Sequence, residues 1–270
     1  MKRHKICKII FAILAVFLCV AFYELIGICI TYKKQPAVSD ATIKETQNIM
    51  SVAGRENTER AVIIEKNSQA LLERVRLIQN AKDEIILSTF AFKSDESGKL
   101  ILGALHDAAD RGVHVRILVD GMESWIDMEG NPYFYGLSSH ENVEIKLYNK
   151  ANPLKPWKTM GRMHDKYLIA DGKIYILGGR NTYNYFLGDF PGHKNFDRDV
   201  LVVCDEPQKD NSVNQLWNYF ETIWEQEDCR YFHNSKKLAD RQSVKKAVLE
   251  LQEGLSLIHI SEPTRPLYIS

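Results

Sequence analysis

The chain has 270 residues, 45% of them hydrophobic and 26% charged, with 35 Lys plus Arg against 35 Asp plus Glu. That balance excludes a disordered protein and the global basic field of a dedicated nucleic-acid binder, and the length allows one sizeable core or two small ones. The cysteines Cys7, Cys19, Cys29, Cys204 and Cys229 form no CxxC or His/Cys cluster, so neither a zinc site nor a disulfide framework is expected.

Lys2, Arg3, Lys5 and Lys8 precede an apolar run from Ile9 to Tyr23, which resumes after Glu24 from Leu25 to Ile30. As a helix, Ile9 to Ile30 reaches roughly 33 Å at about 1.5 Å per residue, enough for the hydrocarbon core of a bilayer. Residues 1–30 therefore read as a basic end and a single membrane anchor. A cleavable signal peptide is the alternative, against which stand the missing A-x-A-like site and the length past Tyr23. Basic residues are denser before the span than after it, which puts the N-terminus in the cytoplasm and the rest outside the cell membrane.

Residues 31–61 are polar and aperiodic and read as a linker, leading into a domain over 62–254. Leu71, Leu72, Val75, Ile78 and Ala81 fall at helical spacing behind a Ser68 cap. Glu84 to Phe92 reads as a buried strand, Lys99 to Arg111 as an amphipathic helix closed by Gly112, and Val113 to Asp120 as a strand. This is a βαβ unit and implies a parallel pair. Val143 to Tyr148 supplies another strand. The next, Met163 to Ala170, sends His164, Lys166, Leu168 and Ala170 to one face, because strand side chains alternate. Asp171-Gly172 is a two-residue hairpin signal, and Lys173 to Leu177 returns as a strand. Gly178-Gly179 then removes two side chains before Asn181, which lets a ligand approach the backbone. Asp199 to Cys204 is a further strand and Val213 to Trp224 an aromatic-rich helix. From about Leu255 the run LSLIHISEPTRPLYIS continues no helix and looks like translated sequencing adapter; residues 255–270 are expected to be non-native, with the natural chain continuing past Gly254.

Taken singly, a strand His or Lys is structural or solvated by default. The joint spacing His164-x-Lys166-x4-Asp171, followed after six residues by Gly178-Gly179-x-Asn181, resembles the signature of the phospholipase D superfamily. From roughly Val62 to Gln226 the chain resembles the first half of a bacterial cardiolipin synthase-like phospholipase D protein. The matches beyond the central motif are GVHVRILVDG, Arg162 two residues before the His, and Arg198-Asp199 before a strand. For Arg198 and Asp199 a surface pair at a strand start is an equal alternative. The resemblance implies an α/β fold, a phospholipase D-like mixed sheet flanked by helices, here preceded by the transmembrane helix.

Phosphodiester transfer needs a nucleophile on phosphorus, a cation on the non-bridging oxygens and an acid at the leaving oxygen. A neutral imidazole can attack phosphorus to give a phosphohistidine, and His164 is the candidate. Lys166 on the same strand face would neutralise the phosphoryl charge, and Asn181 would donate to an oxygen. Arg162, Gly178 and Gly179 complete the expected substrate contacts. Asp171 sits at the turn and cannot simply be drawn beside His164; the resemblance implies that it supports a histidine or the acid-base network. No metal or other cofactor is required, because Lys, Asn and backbone donors can take that role.

In the superfamily two such motifs meet, one His as nucleophile and the other as acid. The chain holds one, since no other histidine opens the pattern, so a second copy in the same natural chain or in a homodimer is expected. The loop NKANPLKPWKTMGRM carries Lys150, Lys155, Lys158 and Arg162 around Trp157, which can attract an anionic headgroup and place an aromatic at a lipid interface; a solvated basic loop is the alternative. The expected function is transfer or hydrolysis of phospholipid phosphodiesters at a membrane. The alternatives are a nuclease acting as a homodimer and a non-catalytic domain that binds anionic lipid.

Overall fold

Strands that are apolar at consecutive positions need cover on both faces of a sheet. The computed structural model, which describes residues 2–33, 37, 39–44, 59–150, 152, 154–158, 160–205, 211–233 and 235–261, provides that cover. Much of the expected linker, and the tail beyond Ser261, lie outside the described residues.

The described residues fall into two compact units, Met1–Asn57 with Ala151–Arg162, and Thr58–Lys150 with Met163–Ser270. In the first, helix α1 (Lys2–Lys33) contains His4–Ile30, 27 residues long enough and apolar enough to cross a membrane, with a mean hydropathy of 2.7. A single helical turn, Pro156–Lys158, packs on it.

The second unit is built on one sheet of eight strands: β1 (Glu59–Ile64), β2 (Glu84–Thr89), β3 (His114–Asp120), β4 (Val143–Tyr148), β5 (Lys166–Ala170), β6 (Ile174–Gly178), β7 (Asp199–Cys204) and β8 (Cys229–Tyr231). Their order across the sheet is β1-β7-β6-β5-β2-β3-β4-β8. β2, β3 and β4 are parallel, and β5 runs antiparallel to β2. The first residues of β5 therefore stand at the same sheet end as the last residues of β2 and β3.

Side-chain alternation assigns the two faces. Ile85, Leu87, Leu168 and Ala170 join one buried cluster with residues of α2 (Asn67–Asn80), α3 (Glu96–Asp110), α5 (Pro132–Ser138) and α8 (Gln242–Ser261). Ile86, Tyr167 and Ile169 point the other way, into a cluster closed by Val213, Phe220 and Trp224 of α6 (Ser212–Trp224). Two short helices, α4 (Gly121–Asp127) and α7 (Lys236–Ala239), complete the unit.

The structure corrects several expectations. The segment 59–61, expected within the linker, opens β1, an edge strand whose Val62 and Ile63 stay exposed, so no buried alternation marks it. α2 begins at Asn67 behind Lys66 rather than behind a Ser68 cap, and no side chain caps it. α3 starts earlier than expected because Asp95 accepts from the Gly98 N–H. The hairpin turn holds three residues, since Ala170 pairs with Ile174, and both Asp171 and Gly172 adopt positive φ, +52° and +59°. The stretch after Gly254 does continue a helix: α8 runs to Ser261, with Leu255 buried behind Val244, Ala247 and Leu251 on one stripe.

Candidate active site

The parallel strands end at a rim where β2 turns at Phe90 and β5 begins. Met163, His164 and Asp165 lead into β5, and β3 fixes their position. The Met163 N–H donates to Asp120 Oδ2 at 3.1 Å, while Asp120 Oδ1 accepts from Met122 and Glu123 at the start of α4. Ser88 Oγ sits 3.5 Å from Met163 Sδ.

His164 is exposed, with its ring centroid 4.7 Å from that of Phe90. Lys166 is buried, 5% exposed, with Nζ 5.3 Å above the same Phe90 ring, and donates to the His164 carbonyl oxygen at 2.6 Å. The imidazole and the ammonium thus share one aromatic wall, although His164 lies just outside the regular strand. Burial pulls the Lys166 pKa down, and the charges of Asp165 and Asp197 act against that fall. Asn181 is buried and its Oδ1 accepts from the Ala91 N–H at 3.2 Å. Thr182 N–H donates to Ala91 O and Lys93 N–H to Thr182 O, so the Asn181 segment is laced to the 90–93 corner. His164, Lys166 and Asn181 are therefore gathered around Phe90–Ala91.

Asp171 is not brought to them. It lies seven residues beyond His164, roughly 23 Å along an extended chain at about 3.3 Å per residue. Its carboxylate accepts from the backbone N–H groups of Lys82, Asp83 and Glu84 at 3.0, 2.8 and 3.0 Å, at the start of β2. The two glycines also have a different role from the one expected. A Cβ on Gly178 would stand 2.0 Å from Asp199 Oδ1, and one on Gly179 2.0 Å from Asp197 Oδ2. The missing side chains admit two carboxylates of this chain. Arg162 belongs to the other compact unit.

The Arg198-Asp199 pair is split. Arg198 is at the surface, 3.1 Å from Glu65. Asp199 is fully buried between Arg74 at 2.8 Å and Arg180 at 3.2 Å, and Arg180 also donates to the carbonyls of Ile64, Glu65 and Asp197. Asp199 therefore locks β7, the 178–181 corner and α2 together.

Sequence reasoning missed Phe90, Asp120, Asp197 and Tyr219. Asp197 lies against Gly179, acts on Lys166 by its charge, and lines an open cavity of about 430 Å³ with Glu65, Phe196 and Arg198. Tyr219 of α6 donates to Asp165 Oδ2 at 2.9 Å, and burial together with the Asp165 charge pushes its phenol up to about 12. Only Asp120, an Asp-Gly at a strand end, carried a local signal. The described residues hold no group of three or more His, Cys, Asp or Glu placed to bind a metal.

Residues 75–224 match the family model described as cardiolipin synthase, PLD-like domain. An uncharacterised protein of Helicobacter pylori is 33% identical over 181 residues, 62% of this chain and 35% of that relative. Cardiolipin synthase C of Escherichia coli K12 is 29% identical over 154 residues, 52% of this chain and 31% of the relative. The crystal structure of a phosphatidylserine synthase from Haemophilus influenzae superposes with a TM-score of 0.50 at 15% identity, covering 81% of this chain and 48% of the other, which is a likeness of fold. The chain spans about a third of the length of the curated relatives it matches.

Proposed function

Since the chain belongs to the cardiolipin synthase, phospholipase D-like family, we propose that it carries one half of a phosphatidyl-transfer site acting on membrane phospholipid. The observation that supports this most is the exposed His164 imidazole beside the buried Lys166 ammonium on Phe90. In this reading a nitrogen of His164 attacks the phosphodiester phosphorus, a P–N bond forms, and the bond to the leaving alkoxide breaks. The alkoxide takes a proton from an acid contributed by a second motif, either further along a longer natural chain or on another copy. An alcohol or water then gives its proton to that now-deprotonated acid and attacks phosphorus, a P–O bond forms, the P–N bond breaks and the histidine is released.

Lys166 neutralises the phosphoryl oxygens. Its burial serves this role, because a poorly solvated ammonium interacts more strongly with an arriving anion. Asn181 holds the adjoining corner, and Asp197 keeps a negative charge near Lys166. Asp171 acts through the fold, fixing where β5 begins and ends. Helix α1 is a membrane anchor, with its basic N-terminus in the cytoplasm.

The test is to incubate the chain, with its second motif supplied by the natural gene or by a second copy, with labelled phosphatidylglycerol in vesicles. Cardiolipin marks a transferase and phosphatidic acid a hydrolase. A phosphoenzyme trapped by acid quench disappears in His164→Ala. Cleavage of DNA or RNA with the lipid untouched sinks the phospholipid reading in favour of a nuclease. Tight binding of anionic vesicles with no phosphoenzyme marks a non-catalytic domain.

A further inference from the structure

The 151–162 segment interrupts the sheet domain between β4 and β5, yet it clusters with the N-terminal apolar helix. Two contacts seat it there. Tyr23 Oη donates to the Leu154 carbonyl oxygen at 3.1 Å. Gly27 lies against Pro156, where a Cβ would come within 2.7 Å of Pro156 Cγ. Pro156 is buried by this packing.

The seat has a defined depth. Gly27 and Tyr23 precede Ile30, the last residue of the apolar span, by roughly 5 and 10 Å at about 1.5 Å per residue. When α1 crosses a bilayer, that depth is the boundary between acyl chains and headgroups. Backbone polar groups at this level need partners, and Tyr23 supplies one to Leu154. The outward side chains suit the same layer. Leu154 is 80% exposed, Met160 49% and Trp157 45%, and they are interleaved with Lys155 and Lys158. Trp prefers the headgroup level, and lysines extend to phosphates.

We propose that residues 154–160 are an interfacial docking loop whose partner is the acyl–headgroup boundary of an anionic phospholipid bilayer, with α1 as its backing. Trp157, Leu154 and Met160 enter the upper acyl layer, and Lys155 and Lys158 bind lipid phosphates. Covalent continuity gives the loop its functional sense: the chain passes from Arg162 to Met163 and then to His164. The nucleophile proposed above thus follows, after three intervening residues, a segment held at the membrane surface, which deepens the phospholipid reading and rests on it for this last step only.

The test uses the full chain in nanodiscs of phosphatidylcholine and phosphatidylglycerol, with lipids brominated near the glycerol end of the acyl chain. The difference in emission between the wild type and Trp157→Phe isolates Trp157. The expected result is strong quenching of that difference signal, which grows with phosphatidylglycerol content and loses this dependence in Lys155→Gln/Lys158→Gln. Gly27→Leu keeps every loop residue and lengthens no part of the chain, but removes the seat for Pro156, so it should abolish the quenching while the chain still incorporates. Trp157 unquenched in an incorporated wild-type chain overturns the proposal, as does a chain that fails to incorporate. Turnover is the separate arm. Trp157→Ala should lower phosphatidylglycerol turnover in bilayers about tenfold and leave hydrolysis of a soluble aryl phosphodiester unchanged. Quenching without any phospholipid turnover would remove the substrate reading and leave the docking loop standing.

Discussion

Where β5 begins, His164 is exposed and Lys166 is buried against Phe90; where it ends, Asp171 is tied to three backbone N–H groups of residues 82–84. One contiguous motif thus spans the sheet from rim to rim, with reactive groups gathered at one end and a clamp at the other. The first end holds groups that the fold pays to bury or leaves unshielded, while at the second the Asp171 carboxylate is fully engaged by backbone N–H groups of the chain. Spacing in sequence therefore reports two constraints at once, one chemical and one of register.

Substitutions at the two ends should separate these constraints. Lys166→Met is expected to lower phosphodiester turnover by about 10² to 10³-fold, the scale of losing one electrostatic donor, without lowering stability. Burial holds the Lys166 pKa below 10.5, so the unfolded chain binds that proton more tightly than the folded one. The charged ammonium therefore costs stability at neutral pH, and the cost fades as pH rises from the depressed value towards 10.5. Urea melts of both proteins should show the variant's advantage largest at pH 7 and shrinking on the alkaline side. An advantage that grows with pH contradicts the burial argument.

Next in size is Gly178→Ala. The added methyl meets Asp199 Oδ1, the Arg198 carbonyl oxygen and Asp199 Cα, so the start of β7 must shift and disturb the ion pairs of Asp199 Oδ2 with Arg74 and Arg180, at a cost of about 3 kcal/mol in chemical denaturation. A stable variant with impaired substrate binding would instead return the glycine to the ligand role.

Asp171→Ala is the mildest of the three. It strips the acceptor from three N–H groups and places alanine at positive φ, costing about 1–3 kcal/mol in thermal unfolding. Activity per folded molecule should stay within about twofold, and Asp171→Asn should recover part of the loss, because Asn keeps one acceptor and tolerates the turn. If Asp171→Ala stays folded yet loses turnover as Lys166→Met does, the division between the two ends fails.

Much of this arrangement was legible in the chain. His164 and Lys166 were expected side by side and do share the Phe90 wall, although His164 precedes β5, and the apolar runs located β2, β3, β4 and β7, with β4 and β7 correct at both ends. What stayed hidden depends on distant partners. Phe90 and Asp197 meet Lys166 only because β2 and β7 flank the hairpin, and a lone Gly-Gly cannot reveal that its missing side chains make room for Asp197 and Asp199. β1 escaped notice because an exposed edge strand has no alternation to read. α8 did carry a signal, the stripe Val244, Ala247, Leu251 and Leu255, which the foreign look of the following residues obscured.

The placing of β1 also bears on how the molecule is made. Among the described strands it is synthesised first, but its sheet neighbour is β7, the seventh of those eight. β2 and β3 each pair with the strand made next after them, so β2, β3 and β4 can assemble locally while translation continues. β1 must wait with Val62 and Ile63 in water until Asp199 to Cys204 emerge, and only then can Arg180 reach the carbonyls of Ile64 and Glu65. Among the described strands, the earliest to leave the ribosome is one of the last to be locked.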